Sequence, residues 1–179
     1  MEKAEIPGGF NVGYAITVKP PAVKSGQEIW LIGGHGTPKR ILRFNIESHT
    51  FQVLPFQLNV GRYGHRCAFI PNTNKIMITG GGNDDFLDST EIIDTEHGSV
   101  TMASPMNSKR VHHGMGVVII NGENKLVVFG GYDGRNKLDS VELYNTETEK
   151  WETSDLKLTE ARSGFSCLTV KFRDIISHF

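Results

Sequence analysis

Three Gly-Gly pairs at a common spacing constrain this chain more than any other feature. Each closes an apolar run: Ile29-Trp30-Leu31-Ile32-Gly33-Gly34, Ile76-Met77-Ile78-Thr79-Gly80-Gly81 and Leu126-Val127-Val128-Phe129-Gly130-Gly131. The pairs stand 47 and 50 residues apart. An arginine recurs in phase with them at Arg62, Arg110 and Arg162, at spacings of 48 and 52 residues. Four positions before each arginine is a large apolar residue, Leu58, Met106 or Leu158. The stretch Asp88-Ser89-Thr90-Glu91-Ile92-Ile93-Asp94 aligns with Asp139-Ser140-Val141-Glu142-Leu143-Tyr144-Asn145, and more weakly with Lys39-Arg40-Ile41-Leu42-Arg43-Phe44-Asn45. About six residues further on come Phe51, Val100 and Trp151, one in each unit. Landmarks that share one period of this length mark stacked supersecondary units.

Each unit reads as four strands. The first follows the arginine: Cys67-Ala68-Phe69-Ile70, Gly116-Val117-Val118-Ile119-Ile120, and the start of another at Cys167-Leu168-Thr169-Val170. Asn121-Gly122 then favours a tight hairpin turn, because both central residues of that turn need positive φ. The second strand ends in Gly-Gly, and its unbroken hydrophobicity fits burial on both faces. The third is the alternating stretch Ser140 to Tyr144, and the fourth, an edge strand, carries Trp151. No segment has a helical period, the last nine residues excepted.

Composition agrees and excludes several function classes. Glycine, at 20 of 179 residues, exceeds the usual ~7%. The formal net charge of −1, from 19 basic and 20 acidic residues, supplies no general attraction to nucleic acid or an anionic membrane. No stretch approaches the ~20 apolar residues that span a bilayer. The segment Met1 to Gly9 lacks an apolar signal core, which leads to the expectation of a cytoplasmic protein. Cys67 and Cys167 are too few for a disulfide scaffold. Each follows its repeat arginine by five residues, as Met115 follows Arg110, so all three occupy one packing site in successive units and the thiols are expected to be free.

The apolar run, Gly-Gly, the Val-Glu-aromatic-Asp/Asn strand, the spaced Trp, then Met or Leu and Arg resemble the kelch repeat. The third unit, Val117 to Arg162, carries nearly every mark; the second has Val100 in place of tryptophan, and the first has Phe51 and no arginine before Gly13-Tyr14. The resemblance implies an all-β fold: an arc of a β-propeller with about three four-stranded blades and the first strand of a fourth. Repeats then occupy residues 1–170, about 13–60, 61–109 and 110–161 as blades and 162–170 as the further strand, with 171–179 a non-repeat tail. It also implies that Phe51 and Trp151 wedge between adjacent blades, and that Arg162 pairs there with backbone carbonyls or carboxylates. Propellers close with roughly four to eight blades. A bare sheet face of about 500 Å² forfeits on the order of 10 kcal/mol, so the repeats are expected to belong to a longer ring.

Chemistry finds little support in the residues. His112 and His113 are adjacent, so on a strand they point to opposite faces and cannot readily chelate one ion. No His-x-Glu, Cys-x-x-Cys or Glu-x-x-His spacing supports zinc or iron, and no metal or other cofactor is expected. Gly80-Gly81-Gly82 lacks the lysine and helix of a phosphate loop, and Asp84 to Asp88 lacks the spacing of a calcium loop. A kelch-type copper radical oxidase is the enzyme alternative. It requires tyrosine and histidine ligands and a Tyr-Cys pair, and Tyr14, Tyr63, Tyr132 and Tyr144 form no such set with histidines and a surface cysteine.

The loops are the remaining candidates, since loops on a rigid scaffold commonly carry binding. In kelch propellers the connections between strands two and three, and those leading into strand one, share one face. The first set here supplies His35, Asn83, Asp84, Tyr132, Asp133 and Arg135; the second supplies Tyr63, His112 and Ser163, each beside a repeat arginine. Tyrosine and arginine are enriched at interface hot spots. The resemblance implies a non-catalytic module that binds a protein partner: a substrate brought to a cullin-3 ubiquitin ligase by a BTB-kelch adaptor, or actin.

Overall fold

The computed structural model describes residues 15–18 and 28–167. The expected start of the first unit at residue 13, most of the strand Cys167–Val170 and the tail 171–179 lie outside the described residues. Twelve strands and no helix occur among the described residues. β1 (Ala15–Val18), β2 (Glu28–Ile32), β3 (Ile41–Asn45) and β4 (Thr50–Val53) form one antiparallel sheet in sequence order. β5 (Arg66–Phe69), β6 (Lys75–Thr79), β7 (Thr90–Asp94) and β8 (Ser99–Ala103) form the second; β9 (Gly114–Ile120), β10 (Glu123–Phe129), β11 (Ser140–Asn145) and β12 (Lys150–Lys157) form the third. The first strands adjoin, β1 with β5 and β5 with β9, so the sheets radiate from a shared axis.

The cores lie between sheets. Trp30, Ile32 and Ile41 of the first sheet meet Phe69, Ile76, Ile78 and Ile93 of the second, with Leu58 from the connection between them. Met77 of the second sheet and Ile70, just past the end of β5, meet Met115, Leu126, Val128, Tyr144 and Trp151 of the third, with Met106 from the next connection. This explains the unbroken apolar runs: in β6, Ile76 and Ile78 face one neighbour and Met77 the other. Trp151 is the wedge expected of it, packed at a tilt on Tyr144 against the second sheet. Phe51 packs on Phe44, whose place in the register puts the pair on the face turned away from the second sheet.

The Gly-Gly steps have a steric cause. Gly80 and Gly81 sit at φ +57° and +98°, and Gly130 and Gly131 at +62° and +101°, where other residues are strained. A Cβ on Gly80 would collide with the carbonyl oxygen of Arg110, which arrives from the next connection. The Asn121-Gly122 turn joins β9 to β10 with both residues at positive φ, as the hairpin reading requires.

Candidate functional site

The connections that carry the repeat arginines position the loop face. Arg62 bonds backward through its main chain: its N–H donates to Pro38 O (2.9 Å), and its carbonyl accepts from Gly34 N–H (3.0 Å). Its side chain reaches forward into the second sheet. Nη1 donates to Gly80 O (2.7 Å) and Ser89 O (3.0 Å), and Nη2 to Glu91 Oε1 (2.7 Å) and Ser89 Oγ (3.2 Å). Arg110 repeats this one sheet on, tied by its main chain to Gly81 and Leu87 and by its guanidinium to Gly130 O, Ser140 and Glu142. Both ion pairs are fully buried.

The carboxylates are equally well engaged. Glu91 also accepts from the Asn59 and Val60 N–H groups and from Asn59 Nδ2; Glu142 accepts from the Asn107 and Ser108 N–H groups and from Asn107 Nδ2. Burial lowers the Arg62 pKa, and the Glu91 carboxylate partly restores it. Arg162 departs from the expectation placed on it. Its main chain makes the backward bonds to Gly131 and Leu138, but among the described residues its half-exposed side chain bonds only Glu160, two residues away.

Above these ties the two loop sets meet pairwise. Tyr63 and Gly82 exchange backbone hydrogen bonds at 2.9 Å, as do Val111 and Tyr132 at 3.0 Å. The inner loops also join one another: His112 N–H donates to Gly64 O (2.8 Å), and Gly164 N–H donates to His112 O (2.9 Å). The candidate residues fall into three places on this face. His35 packs on Tyr63 with ring centroids 5.1 Å apart, and Tyr63 Oη contacts Asn83 O at 3.5 Å, with Asp84 exposed beside it. His112 and Ser163 lie on the inner seam, His112 exposed and Ser163 half-buried. Tyr132, Asp133 and Arg135 lie on the loop between β10 and β11, where the Asp133 carboxylate accepts the Arg135 and Asn136 N–H groups at 2.7 Å. Those bonds hold the Asp133 pKa below its ordinary value.

Between the second and third sheets a groove of about 540 Å³ opens on this face, lined by Asp85, Phe86, Ser108, Lys109, Asp133, Gly134 and Arg135. Phe86 meets Tyr132 edge-on at 5.5 Å, and Lys109 pairs with Asp85 at 2.7 Å. Sequence reasoning placed Asp85 and Phe86 in a candidate loop without singling them out as site residues, and it missed Lys109. The signal was available, since Lys109 directly precedes a repeat arginine and Phe86 falls in the same connection as Asn83 and Asp84.

Two of the histidines, His65 and His113, and Cys67 serve the scaffold. His65 and His113 each stand three residues after a repeat arginine and are fully buried. Burial, then the Arg62 charge, pushes His65 down to about 3. His113 is held well below its ordinary value by burial and Arg66, and its Nε2 meets Thr79 Oγ1 at 2.8 Å. Burial pushes the free Cys67 thiol up to about 12, out of the nucleophilic range. Among the described residues no three His, Cys, Asp or Glu side chains gather as a metal site.

Four-stranded antiparallel sheets that radiate from one axis and share stitched connections define an arc of a β-propeller. A family model, the KLHDC2/KLHL20/DRC7 Kelch-repeats domain, matches residues 21–177. The chain belongs to the kelch-repeat family. It is similar to Kelch-like protein 26 of Danio rerio, at 26% identity over 155 residues, covering 81% of this chain and 24% of that protein. The chain thus spans about a quarter of the length of the curated relative it matches.

Proposed function

We propose that this chain is a non-catalytic protein-interaction module that grips a protein partner with the loop face over its second and third blades. One observation carries the reading: two loop sets, bridged by Tyr63–Gly82 and Val111–Tyr132, hold aromatic and charged side chains around a groove on a buried, ion-paired scaffold. Partner capture needs this kind of preorganised surface, because loops ordered in advance lose less entropy on binding. Phe86 and Tyr132 supply rigid apolar area, and Arg135, exposed at the rim, supplies a forked donor for a partner carboxylate.

Similarity to a Kelch-like protein supports a finer reading in which the captured protein is a ubiquitination substrate, delivered to a cullin-3 ligase by a cytoplasmic parent carrying a BTB domain. Tyr132→Ala with Arg135→Ala tests the face itself. Quantitative pull-down should lose the bound partner while the circular dichroism melt stays where it was. Undiminished capture by a folded double variant rules this face out. For the finer reading, the bound partner should gain ubiquitin when the full-length parent and cullin-3 are supplied; recovery of actin as the partner rejects it.

A further inference from the structure

One position of the inner seam breaks a rule that its counterparts keep. Two residues after each repeat arginine the backbone turns left-handed, and glycine fills that place twice, as Gly64 at φ +59° and Gly164 at φ +75°. The second connection has His112 there, at φ +54°. A side chain in this region carries strain that glycine avoids. The seam itself does not call for an imidazole. His112 donates its N–H to Gly64 O (2.8 Å) and accepts from Gly164 N–H (2.9 Å), two main-chain bonds that glycine makes equally well. Its ring is exposed, and among the described residues it makes no hydrogen bond or ion pair.

The ring is nevertheless held in one place. It lies over Gly64, where an added Cβ would strike its Cε1 at 2.6 Å. Two residues beyond Gly64, the half-buried Arg66 opens β5 and donates to His65 O (3.1 Å) and Phe165 O (3.2 Å). Arg66 and His112 therefore share the Gly164–Phe165 step as an anchor. Among the described residues no carboxylate pairs with Arg66; the thiols of Cys67 and Cys167 stand beside it. The other titratable groups at this seam are His65 and His113, both buried, and Arg110, which is spent on Glu142. Burial and the Arg66 charge hold the His112 pKa below its ordinary value.

We propose that His112 and Arg66 form a carboxylate-binding subsite on the inner seam, through which the grip on an acidic segment of a protein partner tightens as pH falls. This subsite rests on the partner-binding reading of the loop face. A carboxylate set against the imidazole favours its charged form and opposes burial and Arg66, so the complex holds a proton that the free chain lacks. Affinity then rises by up to about tenfold per pH unit between the free and bound pKa of His112. The strained backbone is the scaffold's concession to this contact.

The probe is a hexaglutamate peptide with blocked ends, with hexaglutamine as its neutral match, titrated into the full chain at about pH 7.5 and 6.0. Histidine Cε1–H resonances are followed by NMR, that of His112 being assigned by its loss in His112→Gly. Hexaglutamate should move this resonance and bind more tightly at the lower pH, and hexaglutamine should do neither. Arg66→Gln and His112→Gly should each weaken binding at the lower pH by about fivefold. His112→Asn, which tolerates the same φ without a charge, should abolish the pH dependence. The thermal midpoint of His112→Gly should stay level or rise by up to about 4 °C, since glycine fits the turn. A fall would make the ring part of the scaffold and overturn the subsite. So would parent-like binding by His112→Gly or an affinity that is flat between the two pH values. An equal response to acetate at the same carboxylate concentration overturns a peptide as the occupant. None of these outcomes decides the wider reading, which stands or falls on pull-down with the Tyr132→Ala, Arg135→Ala variant.

Discussion

Removing one acceptor should show how much the scaffold depends on its buried ion pairs. In Glu142→Leu the Arg110 guanidinium keeps its bonds to Gly130 O and Ser140 but loses its counter-charge at a site with no exposure. Breaking a buried pair by removing one partner costs about 3–5 kcal/mol. The Asn107 and Ser108 N–H groups lose an acceptor too, but Asn107 is exposed and water replaces part of that loss. For a chain of this size each kcal/mol moves the midpoint by about 2–4 °C, so a fall of about 6–20 °C is expected. Circular dichroism melts measure it, with Glu147→Ala on an exposed turn as the control, expected within about 0.5 kcal/mol of wild type. Adding Arg110→Met to Glu142→Leu removes both charges and should recover much of the loss. The reasoning is refuted if Glu142→Leu melts with Glu147→Ala, or if the double variant melts below the single one.

Acid should unfold the chain through its two buried histidines. Both are neutral when folded and take up a proton on unfolding once pH drops below about 6.5. Their share of stability is whole above that value and falls by about 1.4 kcal/mol per pH unit for each histidine, down to about 3 for His65. Urea midpoints between pH 7 and 4 should show this slope, and His65→Phe, which copies Phe165, should flatten it; an unchanged slope rejects the assignment. Gly80→Ala should cost more than about 1 kcal/mol, since φ is +57° and the added methyl strikes Arg110 O, whereas Gly122→Asn, at φ +82° with open space, should stay within about 0.5 kcal/mol. Equal melts for the two would remove the steric account of Gly-Gly. Trp151→Ala should cost about 3–5 kcal/mol by opening the interface with the second sheet, read as a lower denaturant midpoint.

The fold was legible because its landmarks obey local chemistry. Positive φ demands glycine at Gly80 and Gly130, two-sided burial demands the apolar runs before them, and the Asn121-Gly122 turn announces its own hairpin. The candidate face was legible only in part. Tyr63 and Tyr132 could be named from their place beside the landmarks, but their bridges to Gly82 and Val111 join residues of separate connections that no local pattern pairs. The groove partners Phe86 and Lys109 likewise come from separate connections and meet only when two sheets pack. Arg162 shows the opposite failure: its sequence position matches Arg62 and Arg110, yet among the described residues its side chain bonds Glu160 and makes none of theirs.

The separation of scaffold from surface follows from how one connection divides its labour. Residues 104–113 use main-chain bonds from Arg110 and Gly81 to hold the second sheet, the Arg110 side chain to hold the third, and only then expose His112 on the seam. The loop of Tyr132 is fixed at its base by Val111 and at its tip by the Asp133 turn, so Arg135 is presented by bonds in which its own side chain takes no part. A substitution at Arg135 therefore removes a contact surface and leaves every one of those bonds standing. One at Arg110 takes the scaffold from under the same loop. If the two classes of variant lower stability alike, this face is part of the fold's own support and is not free to vary with a partner.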